Sequence, residues 1–426
     1  MAKDKPQAGK NGSSPFNRTA QHDAKRTAIL SQAAKLFNGR GSRSTTLLDI
    51  AQSLGLTKTS LYYYVKTKEE LIYQCYMASL EDSMRGLDAV ERHHKNGLDR
   101  ILAVLRGHLA GWKAATEGKR NHTAALLEIA SLKDQHREEV EQQYIAMFLR
   151  MRQYIRDGIE EGNIRPVDGT SAVLGLLGSM QWSFNWLRNT PTEKMDEVLD
   201  GAMDLITNGL AADPGFQFND FDFSADMPTP ASGFDREEQN RMKQDAFYKT
   251  GTWYFNKKGF VGTSLDEIAQ TLNVTKGAFY YHIKNKEDLL YNCYTRSLDL
   301  LNQIHDSAEQ LPSGIAKLDY ILRRGTVVQN SDDGPMIRYN SITALPLERR
   351  REILRLTDVT NDRFGQFMRD GIEDGSVRPV NVEIAQELIS GAMNSAMDLP
   401  MWRRIDDIDQ ASRDYYSMFF GGLAAR

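Results

Sequence analysis

The chain has 426 residues, 41% of them hydrophobic and 26% charged, with a net charge of −4. That is the balance of a globular protein too long for one ordinary domain. No run approaches the roughly 20 apolar residues that span a bilayer. The polar, basic Met1–Ala20 segment lacks the apolar core of a secretory signal, so the chain is expected in the cytoplasm, off the membrane.

In chain order, residues 1–21 read as a disordered basic tail that cannot bury enough apolar surface to order itself. It serves either as an arm reaching a DNA groove or as a plain tail. From His22 a helical period begins, with Ile29, Ala33, Leu36 and Phe37 on one face, and stops at Asn38-Gly39-Arg40-Gly41. Thr46 with Asp49 three residues on reads as a capping box with Asp in place of Glu. Leu47, Ile50, Ala51 and Leu54 form the inner face of that second helix, Gly55 ends it, and Thr57 caps a third.

The same devices return 218 residues later. Phe247, Tyr254 and Phe255 lie on a first helix closed by Asn256-Lys257-Lys258-Gly259. Ser264 with Glu267 reads as the standard capping box, Leu265, Ile268, Ala269 and Leu272 form a face, and Thr275 caps the third helix. Even the two cysteines, Cys75 and Cys293, sit at this offset. They are expected as small buried residues, because the spacing supplies no partner for a disulfide or a metal.

Helix, short helix, tight turn and third helix is the helix-turn-helix arrangement, whose recognition helix enters the major groove with its N-terminal residues at the base edges. Here those residues are Thr57-Lys58-Thr59-Ser60 and Thr275-Lys276-Gly277-Ala278. Charge agrees: Arg18 to Lys68 holds nine bases and two acids, and Arg236 to Lys286 nine bases and five acids. One end of an acidic molecule is thus basic, as expected where it faces phosphate.

Both stretches resemble the tetracycline-repressor (TetR) family of bacterial transcription regulators. That pattern runs Lys-Gly-x-Leu-Tyr-Tyr-His-Phe-x-x-Lys-Glu-x-Leu through the third helix. The second copy matches it at Lys276, Gly277, Tyr280, Tyr281, His282, Lys286, Glu287 and Leu289. The first matches at Lys58, Leu61, Tyr62, Tyr63, Lys68, Glu69 and Leu71, and departs with Thr59 for glycine and Tyr64 for histidine. The resemblance implies that Lys58 and Lys276, with Thr59 and Gly277, approach base edges. It implies phosphate contacts from Thr57, Tyr62, Tyr63 and Lys68, and from Thr275, Tyr280, Tyr281, His282 and Lys286, with Tyr64 expected on the DNA-binding face in place of the histidine. Thr46 and Ser264, capping the preceding helices, are by the same resemblance expected to face the DNA with Ser60 and Ala278. Leu61, Val65, Phe279 and Ile283 point inward; Tyr62 and Tyr280 suit either core or phosphate.

The rest of each half reads as helices. Gly158-Ile159-Glu160-Glu161-Gly162-Asn163-Ile164-Arg165-Pro166-Val167 recurs as Gly371-Ile372-Glu373-Asp374-Gly375-Ser376-Val377-Arg378-Pro379-Val380, now at an offset of 213. The net loss of five residues is expected in one loop, between Trp112–Asn121 and Gln329–Pro335. Between the halves, an acidic Pro/Gly linker alternates Phe216, Phe218, Phe221 and Phe223 with acids; it either packs on a half or hangs as a loose tether.

The expected fold class is therefore all-α: two tandem TetR-like units, each a three-helix helix-turn-helix domain followed by an antiparallel helical ligand and dimerisation domain. The expected boundaries are 22–76 and 236–294 for the DNA-binding domains, 77–211 and 295–426 for the bodies, and 212–235 for the linker. In the resembled family the body holds a small molecule and its last two helices pair two subunits in a four-helix bundle. Here those helices are about 169–189 with 193–210, and 381–398 with 404–424. Gly175, Gly178, Gly391 and Ala392 would permit close approach there, or serve ordinary helix packing inside one half. Two whole units in one chain point to an internal pseudo-dimer, with a homodimer of four heads as the alternative.

The effector is an unknown small molecule, hydrophobic or aromatic. Its candidate residues are His108, Trp112, Tyr144, Phe148, Met151, Trp182, Phe184 and Trp186 in the first half, and Tyr339, Phe364, Phe367, Met397 and Trp402 in the second. The same aromatics would serve equally as core. No His-Glu-x-x-His, Gly-x-Ser-x-Gly, glycine-rich phosphate loop or paired cysteines occur, so no enzyme, cofactor or metal is expected. The expected function is a repressor released from an imperfectly palindromic double-stranded DNA operator by its effector. The alternative is a DNA-binding protein of this fold regulated by a protein partner.

Overall fold

The computed structural model describes residues 15–126, 129, 132–223, 236–331 and 333–425. Residues 1–14 of the expected tail and 224–235 of the expected linker lie outside these. The first half contains α1 (Pro15–Arg40), α2 (Leu47–Ser53), α3 (Lys58–Tyr62), α4 (Lys68–His93), α5 (Gly97–Thr116), α6 (Asp134–Glu160), α7 (Gly169–Trp186) and α8 (Met195–Asn208). The second contains α9 (Arg236–Gly262), α10 (Leu265–Thr271), α11 (Lys276–His282), α12 (Lys286–Ala308), α13 (Gly314–Gln329), α14 (Leu347–Asp374), α15 (Val382–Ala396), α16 (Leu399–Trp402) and α17 (Ile408–Gly421). The architecture is all-α in two tandem units, as expected.

Three local expectations are corrected. Helix α1 begins at Pro15 rather than His22, with proline at the first position, where its missing N–H costs nothing. Of the two capping boxes, the Asp version forms: the Thr46 amide donates to Asp49 at 2.7 Å and the Asp49 amide donates to Thr46 Oγ1 at 3.1 Å. The standard version does not. Ser264 makes no side-chain cap, and the Glu267 carboxylate that would complete the box accepts from Lys258 Nζ at 3.0 Å. The five missing residues also fall in two places. Gly97 and Gly314 both open the fifth helix of their half, an offset of 217, so one residue is lost before that helix and four after it.

The halves meet where α7 and α15 cross. At Gly178 an added Cβ would sit 1.9 Å from Ser395 Oγ and 2.7 Å from the Gly391 carbonyl; at Gly391 it would sit 2.7 Å from the Gly178 carbonyl. Backbones this close leave no room for side chains. Ser179 Oγ donates to the Leu388 carbonyl at 2.6 Å, and Ser395 Oγ to the Leu174 carbonyl at 3.2 Å. Helices α8 and α17 complete a four-helix bundle.

Around the bundle the contacts are reciprocal. The Arg165 amide donates to the Leu423 carbonyl and the Arg378 amide to the Leu210 carbonyl, each at 2.9 Å. The Arg165 guanidinium donates to the Gly422 carbonyl at 2.7 Å and the Arg378 guanidinium to the Gly209 carbonyl at 2.5 Å. Two antiparallel bridges, Ile164 with Ala424 and Ala211 with Val377, obey the same exchange. Residue i meets j and the counterpart of j meets the counterpart of i, which is the isologous pattern of a two-fold dimer, here within one chain. Gly209 and Gly422 turn the chain into the bridges with φ of +69° and +72°, a region that favours glycine.

Beyond Ala211 the linker follows the second half as a strap. Phe216 stacks on Phe420 at 5.0 Å, and Phe221 and Phe223 pack on Tyr320. Beneath it Arg323 is fully buried, bonded to Asp319 at 3.1 Å, to Asp409 and to the Asn219 carbonyl at 2.7 Å. The strap aromatics Phe218, Phe221 and Phe223 surround its guanidinium. Burial raises the Asp319 carboxyl against the pull of Asn219 and Arg323. Breaking such a pair strands a charge, so strap and half are tied. Through residue 223 the linker is packed rather than loose.

Both cysteines are buried, and burial pushes each thiol up to about 12, in keeping with a small core residue.

Gly178→Val is expected to destabilise the chain by about 1–3 kcal/mol in denaturant unfolding, through overpacking of the α7–α15 crossing. Gly277→Ala, whose added methyl meets open space, is the control. An unchanged midpoint for Gly178→Val would contradict the crossing.

Candidate nucleic-acid interface and body cavities

Each head presents a Lys-Tyr edge. In α3 the Thr57 hydroxyl accepts from the Ser60 amide at 3.1 Å, and in α11 Thr275 accepts from Ala278 at 3.2 Å. The caps leave the first-turn residues Lys58, Thr59, Lys276 and Gly277 exposed. Leu61, Val65, Phe279 and Ile283 are buried, as expected, so the opposite edge faces out. Tyr63 and Tyr281 are 71% and 85% exposed; Tyr62 and Tyr280, open to either reading from sequence, are exposed as well. Tyr64 turns back to stack on His22 at 4.9 Å, and His282 lies near Phe247 at 5.6 Å. Both are half-buried, less available than their neighbours.

Lys68 and Lys286 point elsewhere. Lys68 Nζ donates to the Ser42 carbonyl at 2.9 Å and the Thr45 carbonyl at 3.3 Å; Lys286 Nζ donates to the Thr263 carbonyl at 2.7 Å. Both staple the turn before the second helix. Burial, and then Arg43, hold the Lys286 ammonium below the usual lysine range.

The heads are not equal. Lys276 Nζ lies 2.6 Å from Asp266 Oδ2 on α10, while the position equivalent to Asp266 in the first head is Leu48. The heads also touch: Arg43 pairs with Glu287 at 3.2 Å and lies over the Phe260 ring at 4.2 Å. This contact is one-sided, because Val261 stands where a second Arg43 would be. An exposed pair of this kind is worth at most about 1 kcal/mol.

The bodies hold unlike cavities. In the first half, about 160 Å³ is lined by His108, Trp112, Met151 and Phe184 among others. In the second, about 100 Å³ is lined by Tyr339 and Met397, with Trp182 reaching in from the first half. Trp182 donates its Nε1–H to Glu387 at 2.9 Å and meets Tyr339 edge-on. A crevice of about 130 Å³ between the halves takes in Tyr144, Trp182 and Tyr339.

Other expected ligand residues lie outside these walls. Trp402 leaves its own half and stacks on Phe148 of the other at 3.9 Å, beside Tyr144. Phe364 and Phe367 pack around His305 in the core of the second half. Trp186 packs against the first-half core.

Sequence reasoning passed over the link between head and cavity. Asn38, at the end of α1, donates to the Thr123 carbonyl at 2.8 Å and accepts from the Ala125 amide at 2.9 Å. Asn256 does the same with the Met336 carbonyl and the Arg338 amide, each at 2.9 Å. Thr123 and Met336 line the two cavities. The 218-residue repeat of this asparagine was the available signal; the sequence reads it only as a helix end.

The family described as bacterial regulatory proteins, tetR family, matches residues 29–75 and 251–292. The tetracyclin repressor-like C-terminal domain matches residues 94–210 and 313–402. The chain belongs to the TetR family of transcriptional regulators and carries both of its domains twice. Among curated relatives, the Transposon Tn10 TetC protein of Escherichia coli is 33% identical over 122 residues, 26% of this chain and 62% of TetC. The HTH-type transcriptional repressor KstR2 of Mycobacterium tuberculosis is 28% identical over 178 residues, 39% of this chain and 84% of KstR2. Among solved structures, AibR in complex with isovaleryl coenzyme A and operator DNA is 25% identical with a TM-score of 0.36, covering 42% of this chain and 97% of AibR.

Two histidines of the bodies, His305 buried and His108 half-buried against a cavity, are expected to make stability depend on pH. Burial pushes His108, 2.8 Å from Ser183 Oγ, and His305, whose Nδ1 has no partner, down to about 4. Below about pH 6.5 the unfolded chain takes up protons that the folded chain refuses until about pH 4. Stability should therefore fall across that window, by up to about 1.4 kcal/mol per pH unit per histidine. Denaturant unfolding of a His108→Gln, His305→Leu double variant should show a flatter pH slope than the natural chain. Equal slopes would contradict the assignment.

Proposed function

We propose that this protein is a transcriptional repressor that holds one operator with both of its heads and lets go when a hydrophobic or aromatic small molecule enters a body cavity. The observation that carries the reading is the pair of outward lysine-tyrosine edges on two heads joined by one reciprocal bundle. Tyrosine hydroxyls and the first-turn amides donate to phosphates and set register, while Lys58 and Lys276 reach acceptors on base edges, of which guanine O6 and N7 are one pair. Lys68 and Lys286 act by holding the turn in shape. Gly277 has open space in front of it, which suits close approach to a base pair. The name of KstR2, a repressor, supports the direction of regulation.

Release works as a population shift. The heads must present their recognition helices about 34–36 Å apart to enter successive major grooves. An effector that favours another head position lowers affinity by its differential binding to the two states. Asn38 and Asn256 supply the connection, since each ties a head to the loop that walls a cavity. The weak Arg43–Glu287 contact is a tie that such movement can break. Unlike linings imply that the two cavities do not share one ligand. Unlike recognition helices imply an operator with unlike half-sites.

Replacing Lys58, Tyr63, Lys276 and Tyr281 with alanine together should abolish sequence-specific duplex binding at about 0.15 M salt while leaving the helical spectrum intact. Binding that survives in a gel-shift titration would sink the proposal.

A further inference from the structure

We propose that residues 48 and 266, on the helix before each recognition helix, make the two heads read different base pairs: Asp266 with Lys276 reads a G·C pair, and Leu48 reads a thymine at the equivalent step. The inference rests on the DNA-binding reading above and goes beyond it by naming what distinguishes the half-sites.

An acidic side chain on a DNA-facing edge is costly. Beside phosphate it is repelled, so it is useful only where it meets a donor. In the major groove those donors are the amino groups of cytosine and adenine. Asp266 Oδ2 stands 2.6 Å from Lys276 Nζ, and Tyr280 Oη lies 3.5 Å from its other oxygen. Lysine favours guanine O6 and N7, and carboxylates accept from cytosine N4. Guanine O6 and cytosine N4 are hydrogen-bonded to each other in one base pair, about 2.9 Å apart. The separation of the ammonium and carboxylate therefore matches the two groups they would read. Both side chains are well exposed, at 70% and 49%, so the pair is open to a ligand.

The first head has no such carboxylate. Leu48 takes the place of Asp266 and is 44% exposed. An apolar side chain on this edge matches the one apolar group in the major groove, the thymine methyl. Lys58 is left without the acidic partner and lies 5.6 Å from the Tyr62 ring.

The test is in-vitro selection from a randomised duplex pool, with the full-length natural chain and three variants. The natural chain should yield two half-sites that differ at one step, G·C in one and T·A in the other. Asp266→Leu should convert the G·C step to T·A, and Leu48→Asp should do the reverse. Asp266→Asn should select A·T there, because asparagine pairs with adenine N6 and N7. Affinity of Asp266→Leu for the natural site should fall about tenfold, and recover on the T·A-substituted duplex. A merely structural or electrostatic role would change affinity evenly across sequences. If Asp266→Leu and Asp266→Asn bind DNA and select the natural sequence, the inference is overturned. If the natural chain enriches no duplex, the DNA-binding reading falls and takes the inference with it.

Discussion

The structure depends on the crossing of α7 and α15. Glycines at 178 and 391 let two backbones approach to a distance that excludes any side chain. The bonds of the bundle are arranged around that point: the serine-to-carbonyl bonds, the arginines that cap the last helix of the opposite half and the two short bridges. Because the arginine bonds and the bridges are exchanged symmetrically, they define a pseudo-two-fold relation between the units. A homodimer achieves such a relation by association and is subject to dilution. Here the connection is covalent, so the second unit meets the first at an effective concentration set by the linker. The strap over Arg323 strengthens this by tying the linker to the second half.

Being joined also frees the halves to differ. In a homodimer a change on one head appears on the other. In this chain Asp266 faces Lys276 on one head only, Arg43 reaches across to the other head in one direction only, and Trp182 enters the second cavity while Ser395 occupies the reciprocal place. Trp402 is similarly one-sided, crossing to stack on Phe148. The bundle keeps the symmetry and the edges depart from it. The distribution suits a molecule whose pairing is constrained by packing and whose reading surfaces and cavities are not.

Much of this was legible in the sequence because duplication supplies its own alignment. A 218-residue repeat of caps, glycines and apolar positions outlined the heads, and family resemblance pointed to the lysine-tyrosine edge that the structure leaves exposed. The inward Leu61 and Phe279 followed from helical period, and the close-approach glycines from their residue type. What was not legible depended on long-range partners. Glu267 left its cap for Lys258, a lysine on the previous helix that local pattern does not rank. Lys68 and Lys286 were assigned to phosphate by motif, yet their ammonium groups point to the turn carbonyls. The aromatics of the bodies divided among cavity, core and inter-half contact by tertiary placement, which spacing along one helix does not encode.

The central claim is that one chain supplies both reading heads to one operator. The most direct measurement is the mass of the protein, free and bound to a selected duplex, by analytical ultracentrifugation or native mass spectrometry. The account predicts a free protein with the mass of one chain, and a complex of one chain per duplex. A free protein of two chains that places two chains on one operator would contradict it.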